Sequence, residues 1–527
     1  MKKYLIMVAS LLLSVMGWAD DKPGLVVGIT VNQFYPEWLS IYKNDLGAEG
    51  FNRIMREGKK SMADYNYLFS QTGMDQATIY TGLLPVSHGI VAHDWLDRLS
   101  GKRVNNTESE EYVEIGEGDS LKGYSPEHLQ ALSLGCMMKM NNLFSKVYSV
   151  GMNPEEVVLS GGSCADLALW FNEKSGKWVS SRYYADSLPG WVKEFNNTSA
   201  SDFFVKRGWM PLAEEEGNSL MLKLKNKVGI GSSFYYDIAQ IKRKFNTYRV
   251  LKATPYANTM VTDLAVALIA EAGLGKDNDT DLLTLNYSSL DYMNRDFGVY
   301  AKEFQDMVVR LDRDIARLLS VLDAQVGKGN YTVVLTFSEA RELLPEELER
   351  VRIQGGYFSI FKAVALLKSY LNLIYGDGNW VVDYDAGQVY LNRELIEKNK
   401  LAFKDVQDRV ADFMVGFEGV GKVLPAYSLT RNAFSGGMEQ LMQNAYSQKR
   451  SGDVMYALLP AWVPELKDRE DIYFRYSKRN KVPVYLFGAG VNGRVRKECN
   501  ITDILPTLCG LMGIPVSYTS TGESLME

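Results

Sequence analysis

The sequence predicts an α/β protein built on a large, mostly parallel central sheet with helices on both faces. Two observations predict it. Short apolar, β-branched runs recur at residues 25–31, 282–287, 332–336 and 482–487, without the polar alternation of a half-exposed strand. Runs of that kind mark strands buried on both faces. Helical patterns lie between them at 258–272 and 302–326, the second with Leu311, Ile315, Leu318, Leu319 and Leu322 on one apolar stripe. Strands alternating with helices build a parallel sheet covered on both sides. Such sheets place functional residues just past the carboxyl ends of strands.

The chain opens Met1-Lys2-Lys3, runs apolar from Tyr4 to Trp18, and reaches Ala19 just before Asp20-Asp21. A basic start, a short apolar stretch and a small residue before charge read as a cleaved export signal over residues 1–19. The alternative is an anchor helix that stays uncleaved. No later segment is apolar over a membrane's thickness, so no transmembrane segment is expected after cleavage. The lysine-rich signal points to the periplasm or an association with the cell envelope. Residues 20–527 read as one domain with cap-like insertions at about 97–130, 172–254 and 343–473. Within the last, 380–391 reads as a hairpin and 403–417 as a helix.

A net charge of −6 and the lack of any basic stripe exclude nucleic acid as a partner. Cys136, Cys164, Cys499 and Cys509 match no zinc spacing, and their pairing stays open.

Asn66-Tyr67, Thr72-Gly73, 77–82 (Ala-Thr-Ile-Tyr-Thr-Gly) and Ser87-His88-Gly89-Ile90 carry a recognisable pattern. It continues at His93-Asp94-Trp95, 254–259 (Thr-Pro-Tyr-Ala-Asn-Thr), 288–292 (Ser-Ser-Leu-Asp-Tyr), 310–314 (Arg-Leu-Asp-Arg-Asp) and 501–508 (Ile-Thr-Asp-Ile-Leu-Pro-Thr-Leu). In that order these segments resemble the alkaline-phosphatase superfamily, in the branch of nucleotide pyrophosphatases/phosphodiesterases and threonine-nucleophile phosphate monoesterases. The resemblance implies two zinc ions, three carboxylate and three histidine ligands, and a threonine that attacks phosphorus between the metals. Two dications stabilise both the attacking and the leaving oxygen of an in-line displacement.

The positions that this resemblance assigns to metal ligands are mostly changed. Asn32 stands for an aspartate, Arg295 for a histidine, Ser338 and Glu339 for an Asp-His pair, and Ile472 near the last histidine; Asp291 is retained. The chain has three histidines in all, and His88, His93 and His128 fall elsewhere. His93 takes the place of a phosphate-binding asparagine, and Asn153-Pro154-Glu155 replaces a Lys-x-Arg phosphate grip, so a dianion loses two cations and meets a carboxylate. Thr72 keeps the nucleophile position. Its hydroxyl is too weakly acidic to attack without a metal or base, which favours reading it as a helix cap over an attacking alkoxide or a Thr72–His93 pair.

The expected protein is therefore an exported, catalytically inactive phosphatase-like chain with no bound zinc or other cofactor. It would act by binding or scaffolding with another envelope protein, and its 31 tyrosines and nine tryptophans suit interface anchors. An active hydrolase with a rebuilt site around Thr72 is the alternative, and a small-ligand binder using the old cleft a third. Within the vacated centre, Arg295 is expected to bridge Asp291 and Glu339 in place of a metal's charge.

Overall fold

The computed structural model describes residues 22–116, 122–212, 234–293, 301–339, 343–385, 387–465 and 481–527, with Glu339 by its backbone alone. The expected signal at 1–19, together with Arg295 and Ile472, lies outside these ranges.

Ten strands form the central sheet: β1 (Leu25–Phe34), β2 (Lys59–Asp64), β3 (Glu114–Ile115), β4 (Val147–Gly151), β5 (Leu167–Asn172), β6 (Lys177–Ser181), β7 (Asp281–Tyr287), β8 (Tyr331–Glu339), β9 (Val482–Gly488) and β10 (Glu498–Asn500). Their spatial order is β10-β2-β9-β8-β1-β7-β4-β5-β6-β3. The run β8-β1-β7-β4-β5 is parallel throughout, which is the expected core. β1 lies at its centre, buried from Leu25 to Asn32, because apolar and β-branched side chains alternate to two covered faces.

Helices α1 (Thr72–Thr81), α2 (Pro154–Gly161), α3 (Pro255–Glu271) and α4 (Lys302–Leu322) cover the sheet. The predicted stripe on α4 is buried from Leu311 through Leu322. α1 sits unusually close to β1: a Cβ on Gly28 would fall 2.2 Å from the Tyr80 hydroxyl, so only glycine admits this approach. That contact packs the last turn of α1 against the middle of β1.

β9 departs from the parallel pattern and pairs antiparallel with both β8 and β2. A run buried on both faces carries no signal of direction, so the sequence could place this strand but not orient it. The chain reaches β9 after a second, four-stranded antiparallel sheet of Val381–Asp385, Gln388–Leu391, Val454–Leu458 and Val420–Pro425. This sheet includes the predicted hairpin, and the predicted helix runs Phe403–Met414 beside it. Arg103 ties it to the body by pairing with Asp94, Asp383 and Asp385, and Arg450 donates to the His128 carbonyl at 2.7 Å. The cysteine question also resolves: Cys136 and Cys164 form a disulfide, and Cys499 and Cys509 are buried thiols. No described helix is long and apolar enough to cross a membrane.

Candidate functional site

A cleft of about 400 Å³ opens where the carboxyl ends of β1 and β7 meet the heads of α1 and α2. Its wall contains Thr72, His93, Asn153, Glu155 and Asp291, so five of the residues singled out from sequence do converge. Asn32 and Ser338 stand behind them, both buried.

At the strand ends β1 bulges between Val31 and Phe34, with Gln33 in the left-handed region at φ 53°. This kink sets Asn32 inward. Ser338 Oγ accepts the Gln33 N–H at 3.1 Å, so this residue holds the backbone of the bulge. Asn32 Nδ2 donates to Asp291 Oδ2 at 2.9 Å and to Glu156 Oε1 at 3.2 Å. One amide thus bridges two buried carboxylates. The second oxygens, Asp291 Oδ1 and Glu156 Oε2, and Asn32 Oδ1 are buried without hydrogen-bond partners among the described residues. Burial, with Asp291 alongside, pushes Glu156 up, against the pull of Asn153 and Lys252. Burial likewise raises Asp291, with the Asn32 donor opposing and Glu155 and Asp75 adding to the rise. Two carboxyls so placed cannot both ionise freely and favour sharing a proton.

The head of α1 is different. Glu155 reaches it from α2, and its carboxylate accepts from Asn106 Nδ2 and, at 3.0 Å, from His93 Nδ1. The Gly73 N–H stabilises the same group, and a Cβ on Gly73 would sit 2.1 Å from Glu155 Oε1, so glycine is required there. Burial alone would raise Glu155, but His93, Asn106 and the Gly73 N–H hold it below the ordinary carboxylate range. His93 is pulled two ways. Asn105 Nδ2 faces its Nε2 at 3.1 Å, which favours a neutral ring with the proton on Nδ1. Burial also opposes charge, yet Glu155, aided by Asp94 and Asp385, raises the ring to about 9. Either way Nδ1–H donates to Glu155.

The expectation that Thr72 caps α1 is corrected here. Thr72 is the first helical residue, Gln71 is the N-cap, and no side chain of the cap closes the helix. Gln71 Oε1 instead accepts the His93 N–H, and the free first-turn amide is served by Glu155 from another helix. His88 forms part of the scaffold: it contacts Thr78 Oγ1 at 3.0 Å and accepts the Ile90 N–H, and burial with Arg450 nearby lowers it to about 3. His128 packs edge-on against Trp95 in the first insertion.

Glu156, Asn106 and Lys252 belong to the site and were not singled out from sequence. Lys252 donates to Asn153 Oδ1 at 2.9 Å and pairs with Glu173 at 2.6 Å. Glu156 had a weak signal as the neighbour of Glu155, but acidic residues after a proline at a helix start ordinarily face solvent and the dipole. Asn106 had none.

Two zinc ions do not fit this donor set. Zinc takes imidazole, thiolate or carboxylate, and the bridging group here is a carboxamide. His93 lines the cleft but its Nδ1 is committed to Glu155, and no group of three or more His, Cys, Asp or Glu among the described residues could hold a metal. Arginine and isoleucine at 295 and 472 supply no ligand by their chemistry. Asp291 is held by Asn32; a bridge from Arg295 to Glu339 falls outside the described side chains.

Fold and cleft together define an alkaline-phosphatase-like protein: a parallel core sheet with a threonine-headed helix at its carboxyl edge. Residues 26–482 match the type I phosphodiesterase/nucleotide pyrophosphatase family, and the chain belongs to it. It is similar to a protein of Myroides odoratus named calcium-transporting ATPase, 29% identical over 520 residues covering 96% of this chain and 95% of that one. It is 27% identical to alkaline phosphatase PafA of Elizabethkingia meningoseptica, over 97% of this chain and 95% of the relative. The crystal structure of PafA superposes with a TM-score of 0.87 at 26% identity, covering 96% and 98% of the two chains.

Proposed function

We propose that this chain is a phosphatase-fold protein that does not run two-metal phosphate ester hydrolysis and works by binding. The observation that carries this reading is the Asn32 amide, bridging Asp291 and Glu156 at 2.9 and 3.2 Å where a two-metal reaction needs bare anionic ligands. A neutral donor there supplies to the carboxylates what a cation otherwise would. The replaced positions Arg295, Ser338, Glu339 and Ile472 support it further. The disulfide and the export-like leader favour the periplasm or envelope, with an envelope protein as partner. Hydrolysis assays on mono- and diesters test the reading, with expected rates at background.

The names of the relatives favour a second reading, an active phosphatase or phosphodiesterase with a rebuilt centre. Thr72 lines the cleft beside His93, as that reading requires. Turnover that vanishes in Thr72→Ala and is absent from a mock purification would select it.

A further inference from the structure

Two short helices in the second insertion carry a basic, aromatic surface on an otherwise acidic chain. Helix Ala200–Arg207 buries Ser201, Phe204 and Val205, and spacings of three and four put Phe203, Lys206 and Arg207 on its opposite, exposed side. Helix Ile238–Phe245 buries Ile238, and the same spacings put Gln240, Arg243 and Lys244 outward. The two run antiparallel, side by side. At one end Trp209 and Tyr236 exchange backbone hydrogen bonds at 3.0 and 2.8 Å. At the other, Asp202 Oδ1 accepts from Lys242 Nζ at 3.3 Å and from the Tyr248 hydroxyl at 2.7 Å. Both helices rest on the turn Tyr248–Ala253, so their outward sides face away from the body together, each about 12 Å long.

Residues 200–208 and 235–246 hold five cations and two acids, in a chain of net charge −6. Both acids are engaged within the pair: Asp202 as above, and Asp237 Oδ1 by the Gln240 N–H at 2.9 Å. Large rings stand in water among the cations. Phe203 is 58% exposed, Tyr235 59% and Phe245 62%. Arg207 lies over the Phe203 ring at 6.0 Å and Lys244 over the Phe245 ring at 5.1 Å. Tyr235 lies against Gly208 at the other end, where a Cβ would fall 2.7 Å from its hydroxyl. Clustered apolar surface of this kind is disfavoured in water and marks a place that something covers.

We propose that this face docks the protein on an anionic phospholipid membrane. The cations meet lipid phosphates, and the rings enter the headgroup layer, where aromatic side chains are favoured. An acidic polypeptide would pair with the cations and leave the rings in water. The acidic remainder of the chain is repelled by the same membrane, which turns this face toward it. The surface left no basic stripe in the sequence because its two halves, 40 residues apart at the Asp202–Lys242 contact, meet only on folding.

The inference rests on the reading that the chain is exported to the envelope. Cell fractionation tests that placement, and purified vesicles test the surface itself. The full mature protein is sedimented with vesicles of phosphatidylethanolamine and phosphatidylglycerol at roughly 7:3, and with phosphatidylcholine alone. Wild type should bind the first and not the second, and should be released in about 0.5 M NaCl, where the Debye length falls to about 4 Å. Arg243→Glu with Lys244→Glu should weaken binding at least about tenfold, while Lys398→Glu with Lys400→Glu, exposed elsewhere, should not. Phe203→Ser with Phe245→Ser keeps every charge and should weaken binding about threefold or more. All these side chains are exposed, and melting temperatures within about 2 °C of wild type show that the variants fold. Wild type that ignores the anionic vesicles overturns the proposal, and so does a loss no greater at 243 and 244 than at 398 and 400, or unchanged binding in the serine pair. Polyglutamate bound at this face in place of vesicles would make an acidic protein the occupant and overturn it too.

Discussion

Two neighbouring glutamates on α2 meet opposite environments. Glu155 finds three donors, one of them the His93 ring, and is held below the ordinary carboxylate range, while Glu156 accepts from Asn32 and Asn153 but faces a second carboxylate and is pushed above it. Both are the same side chain on the same first helical turn, with Glu156 buried and Glu155 partly exposed. The charge of the neighbour separates them: His93 faces Glu155, and Asp291 faces Glu156. At the head of α1 the backbone amide, Asn106 and the His93 ring offset desolvation; at the strand ends the neutral amides of Asn32 and Asn153 do so only in part against the repulsion between Asp291 and Glu156. Buried carboxylates without a cation need neutral donors or protons.

The largest effect should follow from restoring charge at the strand ends. Asn32→Asp replaces the bridging donor with a third carboxylate between two, and should lower stability by about 3 kcal/mol or more at pH 8 in chelator. Urea unfolding measures it; an unchanged midpoint would mean that the carboxylates are not in contact as described. Glu156→Gln should do the reverse. Raised carboxyls contribute stability that is full below about pH 4.5 and fades as pH rises through their elevated values. The variant escapes that loss, so it should be about 1 kcal/mol more stable than wild type at pH 8 and no more stable at pH 4. An advantage that shrinks with rising pH would contradict the pairing with Asp291.

The His93–Glu155 pair sharpens the other side of the comparison. With its ring raised from 6.5 to about 9, His93 contributes stability that is present below pH 6.5 and is lost as pH climbs toward 9. Imidazole resonances followed by NMR should place its midpoint above those of both other histidines, and in Glu155→Gln it should fall. A midpoint at or below 6.5 in wild type would leave Asn105 as the stronger partner. The smallest effect belongs to Thr72→Ala, expected within about 0.5 kcal/mol of wild type because its hydroxyl does not cap α1.

Much of this was legible in the sequence. Runs such as 25–31 and 282–287 fixed the buried strands because two covered faces demand uninterrupted apolar residues, and the α4 stripe fell on its core face. The direction of β9 was not legible, since apolar content is the same read either way. Around the cleft, Asn32, His93, Glu155 and Asp291 were found through their places after strands and in motifs. Glu156 and Asn106 were missed because their partners lie 124 and 49 residues away in sequence, and no local pattern encodes such a contact. Thr72 was misassigned for the same reason: local rules look for a cap at the helix start, and the group serving that amide comes from α2.

Metal content of the purified protein tests the account most directly. Elemental analysis of wild-type protein prepared without chelator should return no stoichiometric zinc, as a centre bridged by the Asn32 amide requires. About two zinc atoms per chain, the number a two-metal mechanism uses, would contradict it.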